Sequence, residues 1–290
     1  MLKFKYVHIY CNQANTLELV NIIVPGVRKY FTNVTIDMRH HLLTNIDDVI
    51  AESLVSIRIS NIKKPFKEQP EIGVQPRSKN MDLAYEKNFP RHLSVNGVTH
   101  SISTTGRQYN ELILYDGFMM QRLFETMINE NEANTDHVHI VFEDRLICTF
   151  SEEDWRYHAR TVVGGMPSII STTGIVEAPA KPKEWYIEQM QLATYGIDTE
   201  DENDEVSNEK KFAVNKYLDY GDYRINFIAV GYVLQALFFF LKEGDPFCND
   251  SNCRLYNAHW QEELIHSQIE TESLCNEHAT LLDQFNTVCS

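Results

Sequence analysis

The chain has 290 residues, with 26 Lys and Arg against 41 Asp and Glu, giving a formal charge of −15. Hydrophobic residues make up 43% and aromatics 11%, which excludes a wholly disordered chain and suffices for a core without disulfide staples. The acidic balance argues against a nucleic-acid backbone or an anionic membrane as the main partner.

The opening MLKFKYVHIY alternates like a strand and carries no signal-peptide block, so a cytoplasmic protein is expected. In a reducing compartment its six Cys read as thiols or metal ligands, not as a disulfide frame. Apolar residues at helical spacing (Leu17, Val20, Ile23, Val24, Val27) predict a helix over 15–31, which Pro25 and Gly26 would break early. A strand at 34–38 follows. Asn45 as N-cap, with Asp47 and Asp48 in the first turn, predicts a helix over 45–54, and 55–62 reads as a third strand. This β-α-β-α-β start points to an α/β layer, so the fold class expected is α/β with a mixed sheet.

Residues 65–80, with Pro65, Pro70, Gly73 and Pro76, read as a polar loop or insertion. A helix is expected over 117–129, strands within 137–150, short strands at 161–163 and 168–171, and a helix over 183–192. Ser103 to Gly106 and Ser171 to Gly174 repeat the motif STTG, which reads as two strand-to-turn junctions. The run DTEDENDEVSNEKK at 198–211 reads as an acidic linker or loop. It separates a mixed α/β domain at 1–197 from a helical part at 212–290, the two packed as one globular unit. Residues 225–241, INFIAVGYVLQALFFFL, would span roughly 26 Å as a helix, short of the ~30 Å hydrocarbon core. The run also contains Asn226, Gly231 and Gln235, so a fully buried helix is expected, with no membrane partner.

The sharpest signal lies in the tail. Cys248-x4-Cys253 is followed after 21 residues by Cys275-x2-His278. Three thiolates and an imidazole are the donors of a closed tetrahedral zinc site, and a closed site is structural because no position remains for a reacting water. The chain between the pairs is long enough for a helix that brings them together, and zinc would replace missing core there.

This tail resembles the archaemetzincin branch of the metzincin metallopeptidases, whose C-x4-C pair and later C-x2-C pair match Cys248, Cys253 and Cys275, with His278 replacing the last Cys. The blocks FEDRLICTF, RYHARTVVGGMPSIISTTGIVEAPAKP and FCNDSNCRLYNAHWQEELI are similar to an uncharacterised archaeal metallopeptidase family related to it, over roughly a third of the chain. The resemblance implies a zincin-like fold and the structural zinc. The sequence departs from it at the catalytic motif. No H-E-x-x-H occurs, GYVLQALFFFL offers no metal ligand where the catalytic helix would lie, and Phe247 stands where the third His would be.

Four other sets could carry chemistry. His259, Glu263 and His266 are spaced for one helix face and, with His158, could hold a rebuilt metal site in which Glu263 acts as base. The stretch STTGIVEAPAK at 171–181, with Glu177, could bind a peptide by β-addition or turn backbone N–H groups to an anion. Glu143, Asp144 and Arg145 with His158 could form an acid/base set, and Cys148 with His158 a thiol nucleophile and base. Cys11 and Cys289 read as free thiols. Two functions follow: a metallopeptidase-related zinc protein with a structural Cys3His site and a degenerate or rebuilt catalytic site, or a non-catalytic zinc-stabilised module that binds a peptide or protein. A second metal is left open by the sequence.

Overall fold

A computed structural model of the protein describes residues 3–11, 16–69, 76–89, 112–187, 191 and 217–288. The acidic run at 198–211, the first STTG and Cys289 lie outside the described residues. Of the helix expected over 183–192, residues 183–187 and 191 are helical and the others lie outside.

The chain begins β1 (Tyr6–Cys11), α1 (Thr16–Arg28), β2 (Thr35–His40), α2 (Asp48–Ser56), β3 (Arg58–Ile59) and α3 (Pro76–Lys87). It continues through β4 (Leu114–Asp116), α4 (Gly117–Glu125), β5 (His137–Glu143), β6 (Leu146–Ser151), β7 (Arg156–Arg160), β8 (Val162–Val163), β9 (Ser168–Ser171) and α5 (Thr172–Glu177). The C-terminal part holds α6 (Arg224–Lys242), α7 (Gln261–Ile265), a π-turn (His266–Glu270) and α8 (Asn276–Val288). One sheet has the order β2-β1-β5-β9-β8, parallel except for β8, and a second has the order β3-β4-β6-β7.

Strand alternation assigns the two faces of the first sheet. Val7, Ile9, Cys11, Ile36, Val138, Ile140 and Phe142 pack into one core with α1, α6 and α8. From the opposite face Tyr10, Val141 and Ile169 enter a second core with Leu54 of α2, Met120 and Phe124 of α4 and Ile147 of the second sheet. The result is the mixed α/β architecture read from the sequence.

Helix α6 is long and apolar enough to cross a membrane, yet 78% of its most apolar window is buried inside the protein. It is apolar all round because it is surrounded: α1 lies on one side, β5, β8 and β9 on another, and the π-turn on a third. Pro25 does not end α1. The proline is exposed on a continuous helix, while Ile23 and Val27 face the core. Gly26 lets α1 approach α6, since a Cβ there would stand 2.9 Å from both methyls of Val230.

Three local expectations are corrected. Helix α2 is capped by Asp47, whose side chain accepts from Ile50 N at 2.8 Å, and not by Asn45. The helix runs through Ser56 because Leu54 and Val55 complete its buried face, so the strand expected over 55–62 shrinks to Arg58 and Ile59. The segment read as a loop over 65–80 contains a 3-10 turn (Phe66–Glu68) and the start of α3.

Candidate metal centre and cleft

Cys248 and Cys253 sit on a tight knuckle. The N–H of Cys248 donates to Leu255 O at 2.9 Å, and that of Tyr256 to Cys253 O at 2.8 Å. Two N–H groups point at sulfur, one from the knuckle and one from the chain entering α8: Asp250 N lies 3.4 Å from Cys248 Sγ, and Cys275 N lies 3.4 Å from Cys253 Sγ. Cys275 stands just before α8 and His278 in its first turn, so the i, i+3 spacing projects both to one side.

The four ligand atoms lie within 4.8 Å of one another. Cys248 Sγ is 3.8 Å from Cys275 Sγ, and His278 Nδ1 is 3.7 Å from Cys253 Sγ and 3.1 Å from Cys275 Sγ. Around a tetrahedral zinc, sulfurs at ~2.3 Å from the ion stand roughly 3.8 Å apart, so the donor set fits such an ion. Nδ1 is the inward nitrogen; Nε2 is buried and has no hydrogen-bond partner among the described residues.

Without an ion, burial keeps protons on the sulfurs. Burial pushes the Cys253 thiol up to about 12 and raises Cys248 as well. Burial, with Lys242 nearby, holds His278 below its ordinary value, so its ring stays neutral. Neutral thiols packed this closely are poor company; a divalent ion would displace their protons and satisfy the resulting thiolates.

Beside α6 runs a cleft of about 530 Å3. Tyr232, Gln235, Ala236 and Phe239 of α6 form one wall. Residues 160–164, which include β8, form another; among the described residues β8 is an edge strand of the first sheet, paired with β9 alone. Phe118, Phe247 and His259 also line the cleft. The helical wall presents a phenol, an amide, a methyl and a phenyl, and none of the thiolate, imidazole or carboxylate donors that zinc usually takes. Arg160 lines the same cleft, with its Nε on Thr149 Oγ1 at 2.8 Å. Burial pulls its guanidinium below the ordinary value, opposed by Asp154 and the Cys148 thiol. No carboxylate among the described residues forms an ion pair with it.

The other sequence candidates are dispersed. His158 Nε2 meets Asp154 at 2.8 Å on the exposed side of β7. His259 precedes α7 and is exposed; Glu263 Oε2 turns back to accept from His259 N and Trp260 N at 2.9 and 3.1 Å. His266 opens the π-turn, with its ring on Glu270 at 2.7 Å and Asn252 at 3.1 Å. The helix is too short to stack the three on one face, and they do not converge with His158. Among the described residues, the groups that could hold a metal are the Cys3His set and a separate one on β1 and β5.

Residues 171–181 form no edge strand: Ser171 caps α5, and Glu177 at its end accepts from Tyr220 OH at 2.7 Å. Glu143 and Arg145 are a buried ion pair at 3.0 Å, and Asp144 accepts from Thr172 Oγ1 at 2.8 Å, so neither carboxylate meets His158. Cys148 is fully buried, donates toward Tyr115 O and is raised well above its ordinary value by burial, then by Asp116. Across the β6–β7 ladder its partner is Ala159, while His158 pairs with Thr149 and so points to the other face.

A family profile described as the probable metallopeptidase family DUF6775 matches residues 3–285. Among curated proteins none matches the chain. Among solved structures, the chain is similar to a zinc-dependent peptidase from Methanocorpusculum labreanum, at 8% identity and a TM-score of 0.42, over 95% of this chain and 99% of that one. A likeness that remote leaves fold and activity to be read from the chain's own residues.

Proposed function

Since the chain belongs to the probable metallopeptidase family, we propose that it is a zinc protein of that family in which the Cys3His site is structural and the cleft beside α6 binds an extended peptide without cleaving it. The observation that carries this reading is the cleft itself. It has a strand edge and the aromatic side chains Phe118, Phe239 and Phe247 to meet an extended chain, while its helical wall has Gln235 and Ala236 and no thiolate, imidazole or carboxylate. A peptide laid along β8 would gain main-chain hydrogen bonds, and its side chains would meet Phe118, Phe239 and Phe247. The half-buried Arg160, which has no ion-pair partner among the described residues, favours a peptide that brings a carboxylate. The spacing of the zinc ligands supports kinship with archaemetzincins, and the thiol content suits a reducing, cytoplasmic setting.

Zinc at Cys248, Cys253, Cys275 and His278 supplies folding energy and a fixed knuckle, and with four protein donors it leaves no site for a reacting water. The test is a library of unstructured peptides offered to the zinc-loaded chain, read by binding and by mass spectrometry of the products. Peptides are expected to bind and stay whole. Phe118→Asp, at a side chain 53% exposed on the cleft, should weaken binding at least tenfold without unfolding. Arg160→Gln should do so only for peptides with a carboxylate. Cleavage that a chelator stops while the fold persists would overturn this reading in favour of a peptidase.

A further inference from the structure

A second cluster of metal donors lies on the first sheet, on the face turned away from α6. In the parallel ladder His8 of β1 stands beside Asp37 of β2 and His139 of β5, and Tyr6 stands beside His137. Every second residue of these strands points away from the main core, so the imidazoles share one face near the N-terminal ends of the strands. Glu132, from a 3-10 turn (Glu130–Glu132), reaches over them.

We propose that His8, His137 and Glu132 form a second metal site that binds a divalent transition ion of the zinc class through two imidazoles and a carboxylate. Their ligand atoms lie within 4.8 Å of one another. His8 Nε2 and His137 Nδ1 face each other at 2.8 Å, a contact that needs one proton between two lone pairs. An ion takes the place of that proton. Nitrogens at ~2.0–2.1 Å from a tetrahedral ion stand roughly 3.3 Å apart, so the rings need part by only about half an ångström.

The surroundings orient these donors. His8 Nδ1–H donates to Asp37 Oδ1 at 2.5 Å, which leaves the Nε2 lone pair free and fixes the ring, as a carboxylate behind a metal-bound imidazole does. Asp37 is held in turn by Arg39 Nε at 2.8 Å. Arg39 also clamps Glu132, Nη1 to Oε2 at 2.5 Å and Nη2 to Oε1 at 2.8 Å, and each oxygen keeps a second lone pair. His139 is a wall and not a ligand, because Nδ1 meets Tyr10 OH at 3.0 Å and Nε2 meets Glu132 O at 3.1 Å.

Asp37 and Glu132 against Arg39 leave the pocket one negative charge, which a divalent cation offsets. His8 is buried, whereas Glu132 and His137 are half-buried, so an ion can enter from solvent and keep water as its remaining ligands. Two nitrogens and one oxygen suit zinc, iron(II) or their neighbours better than calcium or magnesium. The site shares no residue with the Cys3His centre or the cleft and does not depend on the peptide-binding reading.

The test titrates the full chain, stripped of metal, with Zn2+ and separately with Co2+, counting ions after gel filtration. Two ions per chain are expected. With Co2+, one should show a thiolate charge-transfer band and the other only weak d–d absorption. His8→Ala and His137→Ala should each reduce the count to one and leave the thiolate band. His158→Ala and His266→Ala, at surface histidines already held by their own carboxylates, should keep both. Glu132→Gln keeps the side chain's shape and one oxygen to accept from Arg39, and it should weaken the second ion at least tenfold. A wild-type count of one with the thiolate band present overturns the proposal, and this result depends on no variant. A second ion that survives His8→Ala and His137→Ala, or is unmoved by Glu132→Gln, overturns it as well.

Discussion

Glu86 is fully buried and serves two arginines and a tyrosine. Its Oε1 accepts from Arg58 Nε at 2.9 Å, Arg58 Nη2 at 2.6 Å and Tyr115 OH at 2.7 Å, and its Oε2 accepts from Arg145 Nε at 3.0 Å. Arg145 goes on to Glu143, where burial would raise the carboxyl but Arg145 and then His41 outweigh it and hold it below the usual range. Removing Glu86 leaves Arg145 with Glu143 alone and Arg58 with Asp82 alone, breaking two buried pairs at once, so Glu86→Ala is expected to cost about 3–5 kcal/mol in denaturant unfolding. A loss under about 1 kcal/mol would show that water enters and solvates them. The sequence joined Glu143, Asp144 and Arg145 to His158, whereas Glu143 meets Arg145, Asp144 meets Thr172 and His158 meets Asp154. Arg145 alone of the three reaches α3, at Glu86, and residues Pro76 to Lys87 of that helix are too polar to show a helical stripe. What holds that helix is the ion network and not an apolar face, and periodicity cannot register such a cause. The Cys3His set was legible for the opposite reason: cysteine pairs at short spacing mean something without knowledge of the rest of the fold.

At the scale of elements, α6 organises the molecule. Its apolar length was plain in the sequence, but which side faced what was not, because a helix apolar all round carries no phase. The structure supplies the phase at Gly231. A Cβ built there would collide with Gln268 Oε1 and lie 2.5 Å from its Cδ. Gln268 cannot simply swing away: it is fully buried on the π-turn, and its Nε2 donates to Arg254 O at 2.6 Å. Its Oε1 also accepts from Arg254 Nε at 3.4 Å. Gly231→Ala would gain up to ~1 kcal/mol of helix propensity. Against this stand an overpacking cost of about 1–3 kcal/mol and the disturbed amide beneath Arg254. The variant is therefore expected to melt below the wild type, and an equal or higher melting temperature would show that the π-turn shifts freely. The edge strand tells a similar story. The sequence expected an edge for peptide addition at 171–181, whereas Ser171 belongs to an inner strand and the edge is Val162 and Val163. Both are short apolar stretches, and only the pairing order separates an edge strand from its neighbour.

At the scale of the whole chain, the metal tail and the first strand are one structure. Phe285 of α8 packs tilted against Phe4 at 4.8 Å and edge-on against Phe31 at 5.4 Å, and Phe31 meets Phe238 of α6 edge-on at 5.9 Å. Asn286 fastens the same helix end by donating to Tyr30 O at 2.8 Å and accepting from Asn33 Nδ2 at 2.8 Å through its own carbonyl. Helix α8 starts at the metal ligands Cys275 and His278, so loss of the ion frees the end of the helix that carries Phe285. Structural zinc is worth roughly 10–16 kcal/mol in small peptides, while whole domains are stable by only about 5–15 kcal/mol. If the tail were an independent unit, chelation would melt it alone. Because Phe285 is buried in the core built on β1 and β5, chelation should instead lower the stability of the sheet itself. Calorimetry of the chain with and without chelator should therefore give one transition shifted down by ten degrees or more, on the order of ΔΔG divided by the entropy of unfolding. Hydrogen exchange in β1 and β5 should accelerate together with exchange in α8. Cys275→Ser should reproduce the shift without chelator. Two separate transitions, with protection in β1 unchanged after the metal is removed, would mean that the knuckle stabilises only itself and that the aromatic contacts hold α8 in place without it.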